Sequence, residues 1–382
     1  MRPMRRAALH VLVAAALAAV ALTAVGGSLS GPARWSPDGL FYQAGVYELQ
    51  GADQESALRR AFQGPLGADL RARDPERSGD PAWVGYNAQF YERRLTVPLA
   101  AAAIEPLSGD RAILAVSLAG YVASVLAIFG LLLLRFRLPV AGAVTLATVL
   151  LPALTEHASY PLTDSWGLAL ETAALASAVL VLDRGPRWLI AWFLAILVLS
   201  FTRDSIWIPV LASLWLTVNQ RSRLSVWLFV SGLAASLPAM LAFRVPLREL
   251  LAQMLNDAHP APDAGWGSII ADYPGAIIDL LQADGGFVRD GAWYSAAFFI
   301  GGLVLLFALS TGAASTPVTT LLKAAAVAGA AYVLVIPVFS AFRLELVLVP
   351  MAAWGLALAG ERIAARVPAS LPVRAPAALT ND

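Results

Sequence analysis

The sequence has no cysteine in its 382 residues, which excludes disulfide bracing, thiolate chemistry and cysteine-ligated metal centres. Histidine is nearly as scarce: His10, His157 and His259 are scattered along the chain, which argues against a zinc site. Charge is scarce too, at 14% of residues, where soluble domains carry about 25%. No basic run interleaved with aromatics occurs in the loops, so nucleic acid is not expected as a partner. What remains is apolar: 58% of the chain is hydrophobic. So much apolar surface cannot be buried in one water-soluble core, and the bilayer must solvate part of it.

A helix needs about 20 apolar residues to cross roughly 30 Å of hydrocarbon. Segments of that character fall at 7–29, 111–134, 138–154, 161–182, 188–202, 205–218, 224–243, 292–310, 321–339 and 342–360. The connections alternate. One set is short and basic, carrying Arg2, Arg5 and Arg6, then Arg135 and Arg137, Arg184 and Arg187, Arg221 and Arg223, Lys323, and Arg362 and Arg366. The positive-inside bias assigns these to the cytoplasm, together with both termini. The expectation is one all-α polytopic domain over 1–382 in the cell membrane, with about ten transmembrane helices and two structured external loops, 30–110 and 244–291. The first span also has signal-peptide features, a basic start and an Ala19-Val20-Ala21 site, but its apolar run continues past that site.

The loop 30–110 opens with Ser36, Pro37 and Asp38, a helix start: cap, first-position proline, and an acid toward the helix dipole. A second short helix is expected at 53–63, and an irregular Gly, Pro, Asp and Arg excursion at 64–82. The apolar run 95–107 is only 13 residues long and holds Pro98 and Pro106, so it reads as an interfacial helix. In the second loop, Leu247, Leu250, Leu251, Met254 and Leu255 mark an amphipathic piece. A Pro/Gly/Trp segment at 259–268 and a helix at 274–283 follow.

Four places can carry chemistry. Asp38 is either a helix-terminus acid, worth about 0.3–1 kcal/mol, or a base that deprotonates an acceptor hydroxyl at the membrane surface. Arg203 and Asp204 sit at the tip of a hairpin whose arms have about 15 residues each, roughly 22 Å of helix. The tip should therefore be recessed, and the charges must pair with each other or face a cavity that takes an anionic group such as a phosphate. Glu156, His157 and Asp164 can hold a divalent cation or orient an acceptor, or can be solvated loop polarity. Arg343, with Glu345, opens the last span and either snorkels to the interface or meets a headgroup phosphate. Pro337 and Pro350 suggest kinked helices around a cavity.

Taken together, a first span, a long external loop that opens with an acid and an aromatic (Asp38 to Tyr42) and a multi-span bundle resemble the GT-C superfamily of membrane glycosyltransferases. Arg94-Leu95-Thr96-Val97-Pro98, Leu162-Thr163-Asp164-Ser165-Trp166, Thr202-Arg203-Asp204 and Phe342-Arg343 carry the likeness further. The resemblance implies a sugar donor on a polyprenyl phosphate reached from the membrane lipid, and inverting transfer to an acceptor at the outer face. It implies Asp38 as base or acceptor-binding group, and Arg203 and Arg343 as holders of the donor phosphate. Asp38 lacks the adjacent second acid of many members, and the chain has no soluble C-terminal domain such as several branches carry. A lipid or sugar flippase and a non-catalytic assembly partner are the competing classes. The topology is directly checkable: reporter fusions at Arg135, Arg184, Arg221 and Lys323 should read cytoplasmic, and fusions at Gly67 and Trp266 external. A cytoplasmic reading at Gly67 would reverse the arrangement.

Overall fold

A computed structural model describes residues 2–26, 34–243, 245–256, 264–312, 315–336 and 342–366, and every regular element among them is helical. α1 (Arg2–Ala24) is the first long apolar helix. The signals at 36–38 then act as their chemistry requires. Ser36 accepts from the Gly39 N–H at 3.2 Å and Pro37 takes the first helical position, which starts α2 (Pro37–Leu49). Asp53 caps α3 (Gln54–Gln63) by accepting from Ser56 N at 2.9 Å.

The stretch 64–82 is more regular than expected: it forms α4 (Ala68–Arg73) and α5 (Pro75–Ser78), followed by α6 (Pro81–Ala88). Pro65, Pro75 and Pro81 each open a helical turn, where the missing N–H has no intrahelical partner to lose. These short helices share a hydrophobic cluster built on Phe41, Phe62, Trp83 and Leu40. Phe41 stacks on Tyr91 at 4.5 Å between centroids.

α7 (Thr96–Ser108) covers the short apolar run, and Gly109, in the left-handed region at φ 57°, breaks it from α8 (Ala112–Leu133). α7 packs on both α2 and α8. The third expected span is bent by 60° between α9 (Leu138–Val149) and α10 (Pro152–Ala158), where Pro152 restarts the helix. The bundle continues with α11 (Asp164–Arg184), α12 (Leu189–Ser200), α13 (Trp207–Gln220), α14 (Arg223–Ala242) and α15 (Leu247–Leu255).

α16 (Trp266–Phe287) is longer than the helix expected at 274–283 and runs through Pro274, burying Ile269, Ala276 and Leu280 along one stripe. It therefore replaces part of the irregular 259–268 segment, of which 259–263 lies outside the described residues. α17 (Trp293–Leu309), α18 (Pro317–Val335) and α19 (Val349–Arg366) complete the fold. Pro350 is the second residue of α19, so it begins that helix and does not kink it, whereas Pro337 lies outside the described residues.

Among the described residues each of the ten expected segments contains helix, and seven helices are long and apolar enough to cross a membrane, or eight if the bent pair is one span. α12 and α13, with 12 and 14 residues, stay short of that length. Among the packed pairs are α8 with α11, α11 with α12, α12 with α14, α13 with α18 and α17 with α19. Polar side chains collect at the two ends. At one, Arg135 pairs with Asp183, Arg137 Nε with Glu361 at 2.8 Å, and Lys323 donates to the Ser310 carbonyl at 3.0 Å. The other end lies under α2–α7 and holds Asp38, Asp164, Arg203 and Arg343.

Small residues set a close helix crossing between α17 and α19. A Cβ on Gly355 of α19 would overlap the Gly302 carbonyl oxygen of α17. Gly355→Ala is expected to force the pair apart at a cost of about 1–3 kcal/mol. Gly301→Ala, which faces open space, should leave the melting temperature in detergent unchanged. Equal melting of the two variants would refute the crossing.

Candidate functional site

Because Ser36 already caps α2, the Asp38 carboxylate is free to reach away from the helix terminus. Its Oδ1 accepts from Tyr91 Oη at 2.7 Å, and its Oδ2 lies 2.5 Å from Arg343 Nη2. Burial by itself would raise the Asp38 pKa. The neighbouring Arg343 and Arg94 charges and the hydrogen bonds from Tyr91 and Arg343 outweigh it, holding the carboxyl below its ordinary value. The group stays ionised through the neutral range. The stability drawn from its pairing is present above the unfolded pKa and lost as pH falls through the lower folded one. Tyr91 moves the other way: burial, then the Asp38 charge, push its hydroxyl well above the ordinary tyrosine value, so it remains a donor.

Arg343 serves a second carboxylate. Its Nε lies 3.0 Å from Asp164 Oδ1 and its Nη2 3.1 Å from Asp164 Oδ2, a two-toothed contact at the start of α11. Asp164 Oδ1 is also 2.7 Å from Arg203 Nη1. The side chain of Arg203 lies over Gly167, where a Cβ would come within 2.9 Å of its Cδ. Arg203 and Asp204 therefore do not form the mutual ion pair that their adjacency suggests. The extended backbone at Arg203 (φ −154°, ψ 158°) sends neighbouring side chains to opposite sides. Asp204 instead pairs with Arg93 and with Arg94 Nη2, the latter at 3.1 Å. Arg94 Nη1 also donates to Tyr42 Oη at 2.8 Å, and Tyr42 Oη lies 3.2 Å from Thr163 Oγ1. The hairpin tip is buried: Thr202 Oγ1 bonds Thr96 Oγ1 at 2.9 Å, and Thr96 N donates to the Phe201 carbonyl.

Of the expected grouping of Glu156, His157 and Asp164, His157 lies within electrostatic reach of Asp164 and Glu156 stands apart. Glu156 is half exposed at the end of α10 and faces Arg34 at 3.7 Å, while Asp164 is buried against the two arginines. Among the described residues no group of three or more His, Asp or Glu has the arrangement of a metal site. His157 is buried at the end of α10. Glu345 is buried beside Asp284 of α16, whose Oδ1 accepts from Phe342 N at 2.9 Å. Phe342 has a left-handed φ of 58°, and Asp284 thereby fixes the backbone that carries Arg343. Tyr91, Arg93 and Asp284 carried no sequence signal of their own, beyond the proximity of the first two to Arg94.

A cavity of about 270 Å³ opens on this network. Its charged lining is four arginines, Arg77, Arg94, Arg203 and Arg343, against two aspartates, Asp38 and Asp204. Leu250, Met254, Ile336 and Leu344 supply an apolar wall from α15, the end of α18 and the approach to α19. Among the described residues, Nε and Nη2 of Arg203 and Nη1 of Arg343 meet no acceptor. No protein-family model matches the chain, and no curated protein does.

The lining can hold an anion at the donors of Arg203 and Arg343 that meet no acceptor; Arg77 and Arg94 are already engaged, by Asp74 and by Asp204. The network also makes a stability prediction. Arg343→Met leaves Asp38 and Asp164 short of a counter-charge and is expected to cost about 3–5 kcal/mol. Adding Asp38→Asn to that variant should recover part of the lost melting temperature. A double variant no more stable than Arg343→Met would show that the Asp38 pairing is unimportant.

Proposed function

We propose that the chain is a polytopic membrane glycosyltransferase of the GT-C type, crossing the cell membrane about ten times with both termini cytoplasmic. In this reading the charged end faces outward. The observation that carries the proposal is that Arg203 and Arg343 keep guanidinium donors without an acceptor in a cavity that also presents the ionised carboxylate of Asp38. A phosphate meets the need of Arg203 and Arg343 for an acceptor. The apolar wall from Leu250 to Leu344 suits the first part of a polyprenyl chain. At about 270 Å³ the cavity lies near the small end of ligand pockets, about 300–1,000 Å³, a size for a headgroup and not for a whole lipid.

In the proposed reaction an acceptor hydroxyl oxygen attacks the anomeric carbon from the face opposite the phosphate. The bond from that carbon to the phosphate oxygen breaks, and its electron pair leaves with the phosphate. Arg203 and Arg343 stabilise the charge that develops there. Asp38 takes the acceptor proton as the new bond forms, and Tyr91 keeps its carboxylate oriented. The placement of the charged cluster at one end of the bundle, beneath α2–α7, favours transfer at a surface over transport between two sides.

The test is transfer from a panel of polyprenyl-phosphate sugars by the purified protein. Asp38→Asn is expected to lower turnover about 10²–10⁴-fold while leaving donor binding near normal. Arg203→Lys should weaken donor binding less than Arg203→Ala, because lysine keeps the charge and loses the planar contact. Full turnover in Asp38→Asn would remove the base, and unchanged binding in Arg203→Ala would remove the phosphate site.

A further inference from the structure

One buried acid next to the site takes no part in the reaction described above. Glu345 is 9% exposed and lies two residues past Arg343, in the turn Glu345–Leu348 that leads into α19. Its carboxyl meets the Asp284 carboxyl of α16, and its Oε2 has no donor among the described residues. The turn packs on α11, α18 and α19, whose own charges are directed elsewhere. Asp164 of α11 holds Arg203 and Arg343, and Glu171 lies toward Arg203 and Ser205. On α18, Lys323 binds the Ser310 carbonyl and Tyr332 lies toward Arg93. On α19, Glu361 pairs with Arg137 and Arg362 donates to the Leu309 carbonyl. The other acids of α16, Asp272 and Asp279, are exposed. Among the described residues, Asp284 is the one charged group that acts on Glu345.

Two ionised carboxylates offer each other only acceptors, so their contact holds together only with a proton between them. Resting on the phosphate site proposed above, we infer that Asp284 and Glu345 share one proton and together position Arg343 for the phosphate. Asp284 grips the chain on both sides of that arginine. Before it, Asp284 Oδ1 accepts from Phe342 N at 2.9 Å and holds the left-handed backbone there. After it, the Glu345 carboxyl closes back on the same aspartate. Arg343 stands between the two grips and points to Asp38 and Asp164. When the shared proton leaves, the two like charges repel, and Asp284 cannot keep both contacts. The Phe342 bond then loosens, and Arg343 loses the alignment that a two-toothed contact with a phosphate needs. Neither acid lines the cavity, so both act through Arg343 and not on the ligand.

The experiment measures binding to the full-length protein in nanodiscs as a function of pH. The probe is the decaprenyl phosphodiester of mannose, with decaprenol as the uncharged control. A phosphodiester keeps one charge throughout, unlike a monoester with its second ionisation near about pH 6. Wild-type affinity for the probe is expected to fall about tenfold from neutral to alkaline pH, the scale of one good hydrogen bond. Asp284→Asn and Glu345→Gln each leave one carboxylate facing an amide that donates to it without a titrating proton. Both should bind the probe as the wild type does at neutral pH and keep that affinity as pH rises. Asp284→Ala removes the acceptor for Phe342 N and should bind about tenfold more weakly at every pH. A flat wild-type profile, or the wild-type fall persisting in both amide variants, overturns the shared proton. Wild-type affinity in Asp284→Ala overturns the positioning role; if that variant does not fold, the two amide variants decide. Each of these results leaves the phosphate site standing. The phosphodiester bound no better than decaprenol overturns the phosphate site, and the positioning pair with it.

Discussion

The Arg343 guanidinium lies between two carboxylates, Asp38 at 2.5 Å and Asp164 at 3.0 and 3.1 Å, and the end of the bundle beneath α2–α7 is organised around it. The three residues come from α2, from α11 and from the approach to α19. Each charge is more than four-fifths buried by side-chain area. Isolated buried charges of this kind are expensive, so each must keep its partner for the whole to stay folded. The same guanidinium therefore closes the fold and supplies the site with a cation.

Holding that guanidinium in place requires support away from the charges. Phe342 adopts a left-handed conformation that a bulky residue rarely takes, and the Asp284 carboxylate accepts its N–H at 2.9 Å. Phe342 also stacks on Phe299, with ring centroids 5.7 Å apart. Asp284 belongs to α16 and Phe299 to α17, so two neighbouring helices fix the backbone one residue before Arg343. On the other side, Gly167 admits the stem of Arg203 against α11, where any Cβ would displace it. The arrangement is built by backbone constraints as much as by ion pairs.

Much of the architecture could be read from composition and charge. Each of the ten apolar segments contains helix among the described residues, and the basic connections of Arg135, Arg137 and Lys323 gather at the end opposite Asp38. The helix start at Ser36 followed from local chemistry, and the short arms of the hairpin from length. The pairing did not. Asp38 meets Arg343 across 305 residues, Arg343 meets Asp164 across 179, and Arg94 meets Asp204 across 110. A single sequence holds no information on such contacts, and adjacency misleads, as it does for Arg203 with Asp204. The prolines of 64–82 misled in the same way: they start short helices there, although in isolation they read as breaks. Glu156 and Asp164 are eight residues apart, yet the turn between α10 and α11 gives them separate surroundings.

Within the proposed reaction, the pairing of Asp38 with Arg343 sets a chemical problem that the geometry also answers. A carboxylate held below its ordinary pKa by a touching cation is a weak base, and proton transfer is most effective when the pKa lies nearer the working pH. An incoming phosphate competes for the Arg343 donors, because its charge is at least that of one carboxylate and its oxygens suit a guanidinium. Arg343 then divides its charge among more acceptors, and its hold on Asp38 weakens. Asp164 keeps the guanidinium from leaving altogether, since it holds Nε as well as the Nη2 that it shares with Asp38. Tyr91 keeps the Asp38 carboxylate in place through Oδ1, so the oxygen that Arg343 gives up, Oδ2, is the one left to meet an acceptor hydroxyl. Donor binding would thus raise the basicity of Asp38 at the moment a proton must be taken, and Asp38 would remain a poor base while the site is empty.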